Sequence, residues 1–235
     1  MSILYIVATP IGNLSDISKH AIEVLRNSDL ILSEDTRETE KVLQAFNIDT
    51  PQISYRDQNH HKIMPKILDE LALGKTLSLV SDSGTPLISD PGFQLVRKLR
   101  ALQTSKQNQI PFEIISIPGP SAVIAALSVS GLPTDNFSFL GFLPKKTTQQ
   151  EKILKDFGAL PSTLVIYESP FRVKRLLATI HETLGNRLVC LAKDLTKKYE
   201  KVVTAPVQDI LSNASEIKEK GEYVVLVAKE GYTLE

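Results

Sequence analysis

The sequence predicts an α/β chain of two lobes, the first with a mainly parallel sheet and the second with a mixed one. Three observations carry that expectation. Short apolar runs alternate with amphipathic helical patterns through the first half. The second half keeps this alternation until two runs, 188–193 and 199–204, lie close enough to pair as a hairpin. Pro118-Gly119-Pro120 stands between the halves: the prolines favour extended backbone and the glycine permits a turn, so the expected lobes are 1–117 and 118–235.

In chain order, the apolar run at 3–9 reads as a buried strand. A helical pattern over 16–27 follows, with Ile17, Ala21, Val24 and Leu25 at helical spacing and Ser15 or Asp16 able to cap. Leu30-Ile31-Leu32 is the next strand. Asp35-Thr36-Arg37-Glu38 has capping-box spacing and opens a helix to about Phe46. A helix over 59–73 ends at Gly74, suited to the position after a helix, and a strand at 76–81 follows. Asp90-Pro91 supplies a cap and a first-turn proline for a helix to about Leu102. Residues 103–109 read as a polar loop, and a strand at 112–117 closes the half. The second half gives a helix at 121–130, a strand at 137–142, a polar helix at 147–158 and a strand at 163–168. Ser169 and Pro170 then cap and open a helix to 184. The hairpin runs, a helix at 207–217 and a strand at 222–229 complete the chain.

Composition narrows the function. The chain has 235 residues, enough for a core that needs no disulfide or metal staple. Its 27 Lys+Arg balance 27 Asp+Glu, which excludes broad polybasic binding to nucleic acid but not a local basic patch. A single Cys excludes internal disulfides and Cys-rich zinc sites, and suits a reducing cytoplasm. No apolar stretch approaches the roughly 20 residues of a membrane span, and the N-terminus lacks a basic segment before its apolar run. A cytoplasmic protein with no membrane partner is expected.

Ligands of open α/β sheets sit beyond the carboxyl ends of strands. Four segments at such places carry unusual residues. Thr9-Pro10-Ile11-Gly12-Asn13 joins a strand to a helix, but fits neither a dinucleotide fingerprint nor a phosphate-binding P-loop. Ser33-Glu34-Asp35-Thr36-Arg37 sets two carboxylates beside a guanidinium; capping accounts for Asp35, leaving Glu34 and Arg37 to line a site. Residues 81–92 are dense in Gly, Pro and small side chains, as close approach of backbone to a ligand requires, and Asp82 can accept hydrogen bonds from a ribose or an amine. The fourth segment, 117–122, opens an Ala- and Ser-rich helix. His60 and His61, at a helix start, read as a surface cap or a satisfied pair.

Taken together, LYIVATPIGNLSDIS, ILSEDTRETEKVL, LVSDSGTPLISDPG, IPGPSAVIAALSVSGLPTD, GFLPKK, VIYESPFRV and DLTKKYE resemble, in this order, the ribosomal RNA small subunit methyltransferase I subfamily of the tetrapyrrole methylase (class III) superfamily. The resemblance runs from Leu4 to about Gly231. It implies two α/β lobes with S-adenosyl-L-methionine in the cleft between them, no metal, and a homodimer. It also implies methyl transfer to the ribose 2′-hydroxyl of a cytidine in small-subunit rRNA, within the small ribosomal subunit. The family pattern sets the cofactor on Pro10, Ile11, Gly12, Asp82, Gly84, Thr85, Ser121, Ala122, Tyr167 and Ala192. The chain departs from the pattern at Asn136, where an Arg is expected, and at Phe171, where a His is common, so position 171 supplies no general base.

The transfer needs a ribose oxygen aligned behind the methyl group and a base to take its proton. Glu34, Asp35, Asp82 and Glu168 are the candidate carboxylates; Asp82 goes to the cofactor, and Glu34 with Arg37 is the catalytic expectation. Lys193 could also lower the pKa of a nearby hydroxyl. Positive charge for RNA is expected from Lys145 and Lys146, from Arg172, Lys174 and Arg175, and from Lys197 and Lys198, all in the second half. Two other readings stand beside this one: a small-molecule methyltransferase of the same superfamily, and a non-catalytic RNA-binding assembly factor.

Overall fold

A strand with apolar side chains on both faces needs cover on both faces, and the first half of the chain supplies helices for each. The computed structural model describes residues 1–105 and 110–234, in two units, Met1–Ser121 and Ala122–Glu235. The first unit holds strands β1 (Ser2–Val7), β2 (Leu30–Ser33), β3 (Gln52–Ser54), β4 (Thr76–Val80) and β5 (Phe112–Ile117). They form one wholly parallel sheet in the order β3-β2-β4-β1-β5. Alternation along each strand divides the core. Val7, Ile31 and Val80 pack with helices α1 (Lys19–Asn27) and α2 (Thr36–Ala45). Leu4, Leu32 and Leu79 pack with α3 (His60–Ala72) and α4 (Phe93–Thr104) on the other face.

The second unit's sheet is mixed. It contains β6 (Phe137–Phe142), β7 (Thr163–Glu168), β8 (Leu188–Lys193), β9 (Lys201–Pro206) and β10 (Tyr223–Val227), in the order β6-β7-β10-β8-β9. β6 and β7 run parallel and the remaining pairs are antiparallel. Its main core joins Leu164, Ile166, Val189 and Val225 to helices α6 (Thr147–Gly158), α7 (Val173–Leu184) and α8 (Val207–Ser212). Helix α5 (Ala122–Val129) packs on β10.

Several local expectations change. β3 has no counterpart in the sequence reading: three half-buried residues are too few to show a period. The expected cap at Ser15 or Asp16 is Ser18, whose hydroxyl accepts the Ala21 N–H at 3.0 Å; Asn13 caps a separate 3-10 turn, Leu14–Asp16. Asp35 does cap α2, by accepting the Arg37 N–H at 2.9 Å. Glu38 instead pairs with Lys41, so no capping box closes. Asp90-Pro91 does not open α4. Gly92 does, at φ +125°, where an added Cβ would reach Leu79 Cδ2 at 2.7 Å.

Ser169-Pro170 likewise precedes a turn rather than capping α7, because both the Arg172 and Val173 N–H groups donate to the Ser169 carbonyl. The 188–193 hairpin forms, but its second strand starts at Lys201. Left-handed residues Asp194 and Thr196 wind the segment before it. The last helix stops at Ser212, where the Asn213 side chain takes the Asp209 carbonyl. In the loop expected at 103–109, Gln103 and Thr104 belong to α4, and 106–109 lie outside the described residues.

Candidate functional site

All carboxyl ends of the parallel sheet share one edge, and one place on that edge stands apart. The chain leaves β1 toward β2 on one side of the adjacent pair β1–β4, and leaves β4 toward β5 on the other. α1 and α4, which follow these neighbouring strands, lie on opposite faces of the sheet, so the two connections part to opposite faces and open a crevice over the carboxyl ends. Here the two loops at that point are tied to each other. Thr9 and Gly84 exchange backbone hydrogen bonds at 2.8 and 3.1 Å, and the Thr9 hydroxyl donates to the Ser81 carbonyl. Gly84 has φ +83°, and a Cβ there would meet Ile11 Cγ2 at 3.2 Å. The segment after β5 joins them: the Thr85 hydroxyl donates to the Pro120 carbonyl at 3.0 Å, and a Cβ on Gly119 would touch Ala8 Cβ at 3.0 Å.

Of the expected cofactor residues, the first unit thus brings together Pro10, Ile11, Gly12, Asp82, Gly84 and Thr85, with Ser121 at the end of the third segment. Pro10 and Ile11 are buried; Gly12 and Asp82 are exposed. Ala122 opens α5 in the second unit. Tyr167 and Ala192 lie in one row of the second sheet, each paired with Val224 of β10. Ala192 is fully buried, while Tyr167 carries the rings of Phe139 and Phe142 edge-on.

Beside the crevice lies a charged recess lined by Glu34, Arg56, Asp57, Asp82 and Asp90, among others. The Asp35 N–H donates to Asp82 Oδ1 at 2.9 Å, joining the β2 and β4 loops. Arg37 is not a free guanidinium. It grips Asp35 with two N–H groups, at 3.0 and 2.6 Å, while its side chain is 85% exposed. That grip holds the Asp35 carboxyl well below the usual carboxylate range. The remaining acids move the other way. Burial raises Glu34, and Asp82 adds to the effect. Burial also raises Asp82, and it pushes Asp90 to about 6 despite a hydrogen bond with Ser81. Three carboxyls near the crevice, Glu34, Asp82 and Asp90, therefore hold protons more tightly than ordinary acids do.

Arg56, just beyond β3, escaped the sequence reading. Its Nε–H donates to the Glu34 carbonyl at 2.8 Å, and its guanidinium reaches Asp35 at 3.4 Å. A strand was needed between two consecutive helical patterns, and that gap was the one signal pointing to it. His60 is buried and satisfied, with Nδ1 2.8 Å from the Tyr55 hydroxyl.

In the second unit, antiparallel β10 stands between β7 and β8, so β6, β7 and β8 all point the same way. The expected basic residues follow these three strands and share one end of the sheet. Their freedom differs. Lys145 and Lys146 are exposed. Arg172 is bound to the buried Glu168 at 2.7 and 2.8 Å and to the Leu143 carbonyl; Glu168 also accepts the Ser169 N–H. Glu168 is thereby saturated and offers no base. Arg175 donates to the Lys145 carbonyl, Lys174 lies 3.9 Å from Glu219, and Lys197 pairs with Glu222 at 2.9 Å. Lys198 lies over the Tyr199 ring, and Lys193 is paired with Asp194. The Asn136 side chain donates to its neighbour Asp135 at 3.4 Å, and the Asn136 backbone carbonyl accepts the Thr163 N–H. Among the described residues no three His, Cys, Asp or Glu side chains gather as metal ligands, and no helix is long and apolar enough to cross a membrane.

Comparison with known proteins adds a family to this geometry. The family model described as Tetrapyrrole (Corrin/Porphyrin) Methylases matches residues 3–211. The chain is 40% identical, over 99% of its length and 78% of the relative's, to a protein of Halalkalibacterium halodurans named ribosomal RNA small subunit methyltransferase I. It is 43% identical to the protein of that name from Vibrio cholerae, over 96% of this chain and 76% of the other. Among solved structures, the methyltransferase CobJ superposes with a TM-score of 0.67 at 17% identity, covering 100% of this chain and 95% of that one. At that identity the likeness speaks for the fold.

Proposed function

Since the chain belongs to the tetrapyrrole (corrin/porphyrin) methylase family, we propose that it methylates the ribose 2′-hydroxyl of a cytidine in small-subunit rRNA, using S-adenosylmethionine. The cofactor follows from the family. The single observation that favours this reading is the crevice at the β1–β4 divergence, where three loops are drawn together by the Thr9–Gly84 bridge and the Thr85–Pro120 bond. The name shared by the relatives supports rRNA as the substrate class.

The residues fit such a cofactor. Gly84 and Gly119 let the three loops pack closely, since a Cβ there would press on Ile11 and Ala8 respectively. Asp82 spends one oxygen on the Asp35 N–H and retains Oδ2 for a ribose hydroxyl. When bound, S-adenosylmethionine supplies a methyl group on a positively charged sulfur. The rest of the work falls to the chain. In this reading Pro10, Ile11, Gly12, Asp82, Gly84, Thr85 and Ser121 hold the cofactor. Glu34 accepts the hydroxyl proton; its partial burial raises its basicity toward neutrality. Arg37, fixed on Asp35, keeps its remaining N–H groups for a phosphate of the substrate. The same reading includes a cytoplasmic homodimer acting on the assembled small subunit.

Incubation with methyl-labelled S-adenosylmethionine and unmethylated small subunits tests the reading. Digestion of the rRNA should release labelled 2′-O-methylcytidine. Label on a base, or on a corrin but not on rRNA, would overturn it.

A further inference from the structure

Aromatic rings are costly to leave in water, yet the second unit leaves Phe142 and Phe171 exposed at one end of its sheet, where Tyr199 is exposed as well. Phe171 is 77% exposed and Phe142 59% exposed. Phe142 is the last residue of β6 and pairs in register with Tyr167 of β7; Phe171 stands in the turn after β7. Because β6 and β7 are parallel, both rings occupy the carboxyl end of the pair.

The backbone under them is braced. Arg172 ties the Phe171 turn to Glu168 and to the Leu143 carbonyl, and Arg175 ties the start of α7 to the Lys145 carbonyl. Phe142 rests edge-on against Tyr167, 5.6 Å between centroids. Beside these rings stand Lys145 and Lys146, exposed and, among the described residues, with no carboxylate within 4.0 Å in an ion pair. Glu168, the acid nearest in sequence to Phe171, is spent on Arg172.

We propose that Phe171 and Phe142 form a stacking platform for unpaired bases of an RNA strand whose phosphates lie along Lys145 and Lys146. The proposal rests on the reading that RNA is the substrate. Rings interleaved with cations are what a single strand needs: every base has a face to stack, and every linkage has a charge to neutralise. A second copy of the chain suits the patch less well. In a twofold contact centred on these rings, the lysine pairs of the two copies would face each other.

The test is binding of a short single-stranded ribo-oligonucleotide and of the same strand with abasic riboses, read by fluorescence anisotropy. The wild type should prefer the strand with bases. Phe171→Ala should erase most of that preference, by roughly 5- to 150-fold for a lost stack. Phe142→Ala should erase a smaller part, and Phe171→Trp should keep it. Abasic binding should be unchanged in all three, and Lys145→Ala with Lys146→Ala should weaken both strands alike. Absence of a base preference in the wild type, or its survival in both alanine variants, would overturn the platform. Loss of dimer on sedimentation with unchanged base preference would assign the rings to a subunit contact instead. Methyl transfer to small subunits by the wild type, measured alongside, separates the two ideas: activity with an unaffected Phe171→Ala variant retires the platform and leaves the function standing.

Discussion

Asp90 shows how a residue can be visible in the sequence and misread. Followed by proline, it has the form of a helix cap, yet Gly92 starts the helix, and Asp90 turns into the acidic recess with its pKa near 6. The local pattern could not reveal this, because the cause is burial first, with Glu34 from another segment and Asp82 eight residues back adding to it. In an unfolded chain an Asp ionises near 3.9. The folded state therefore binds more protons than the unfolded state from about pH 4 to 6, so stability falls as pH rises through that window. Asp90→Asn removes the cost. It should raise the unfolding free energy at pH 7.5 by about 1 kcal/mol after allowance for solvent screening, read as a higher melting temperature, and leave both unchanged at pH 4. Equal stabilisation at both values would mean that the charge is not responsible. Glu34 carries the matching prediction for activity. Its pKa is also raised, so kcat should climb with pH as its carboxyl ionises. Glu34→Gln should lower kcat by about 10²–10⁴-fold and flatten that acid limb, with cofactor affinity by calorimetry unchanged. Asp82→Ala should do the reverse, weakening cofactor binding while the fold survives.

Elements were more legible than residues wherever a period had room to repeat. The long helices α3, α6 and α7 and the apolar strands β1, β4 and β7 all show in the sequence, because each repeats its burial pattern several times. β3 does not, and Arg56 was lost with it. The starts of α4 and α7 differ from the expected caps, since Gly92 and Arg172 stand at those positions without a side-chain cap bond. At α7, Arg172 pairs with Glu168, whose side chain is fully buried. This pair fastens three elements, since Arg172 also holds the loop after β6 through Leu143. Removing one partner leaves a buried charge without its counter-ion, which costs about 3–5 kcal/mol. Arg172→Met should therefore lower stability by that order in a denaturant titration. Adding Glu168→Gln should recover part of the loss, because a neutral amide costs less to bury unpaired. If the double variant is no more stable than the single one, the buried carboxylate is not the source of the cost.

At the scale of the whole chain, a net charge of zero hides a modest division. Residues 1–121 carry 12 basic and 14 acidic side chains, and residues 122–235 carry 15 and 13. Among the described residues, several of the cations that the sequence offers are already engaged. Arg37, Arg172, Lys193 and Lys197 each face a carboxylate, so the cations free for phosphate are fewer than the sequence suggests. Lys145 and Lys146 are exposed in the second unit, on the same end of the sheet as Phe142 and Phe171. A protein that neutralises few phosphates releases few counter-ions, so its RNA affinity should fall only gently with salt. On single strands each phosphate contact adds about 0.7 to the slope of log affinity against log salt. If both lysines make such contacts, Lys145→Ala with Lys146→Ala should reduce that slope by about 1.4, with cofactor affinity unchanged. A slope that does not move would place the phosphate contacts elsewhere, even if total affinity dropped. A slope that falls while base preference persists would show that the lysines hold the strand and the rings read its unpaired bases as separate, additive contributions.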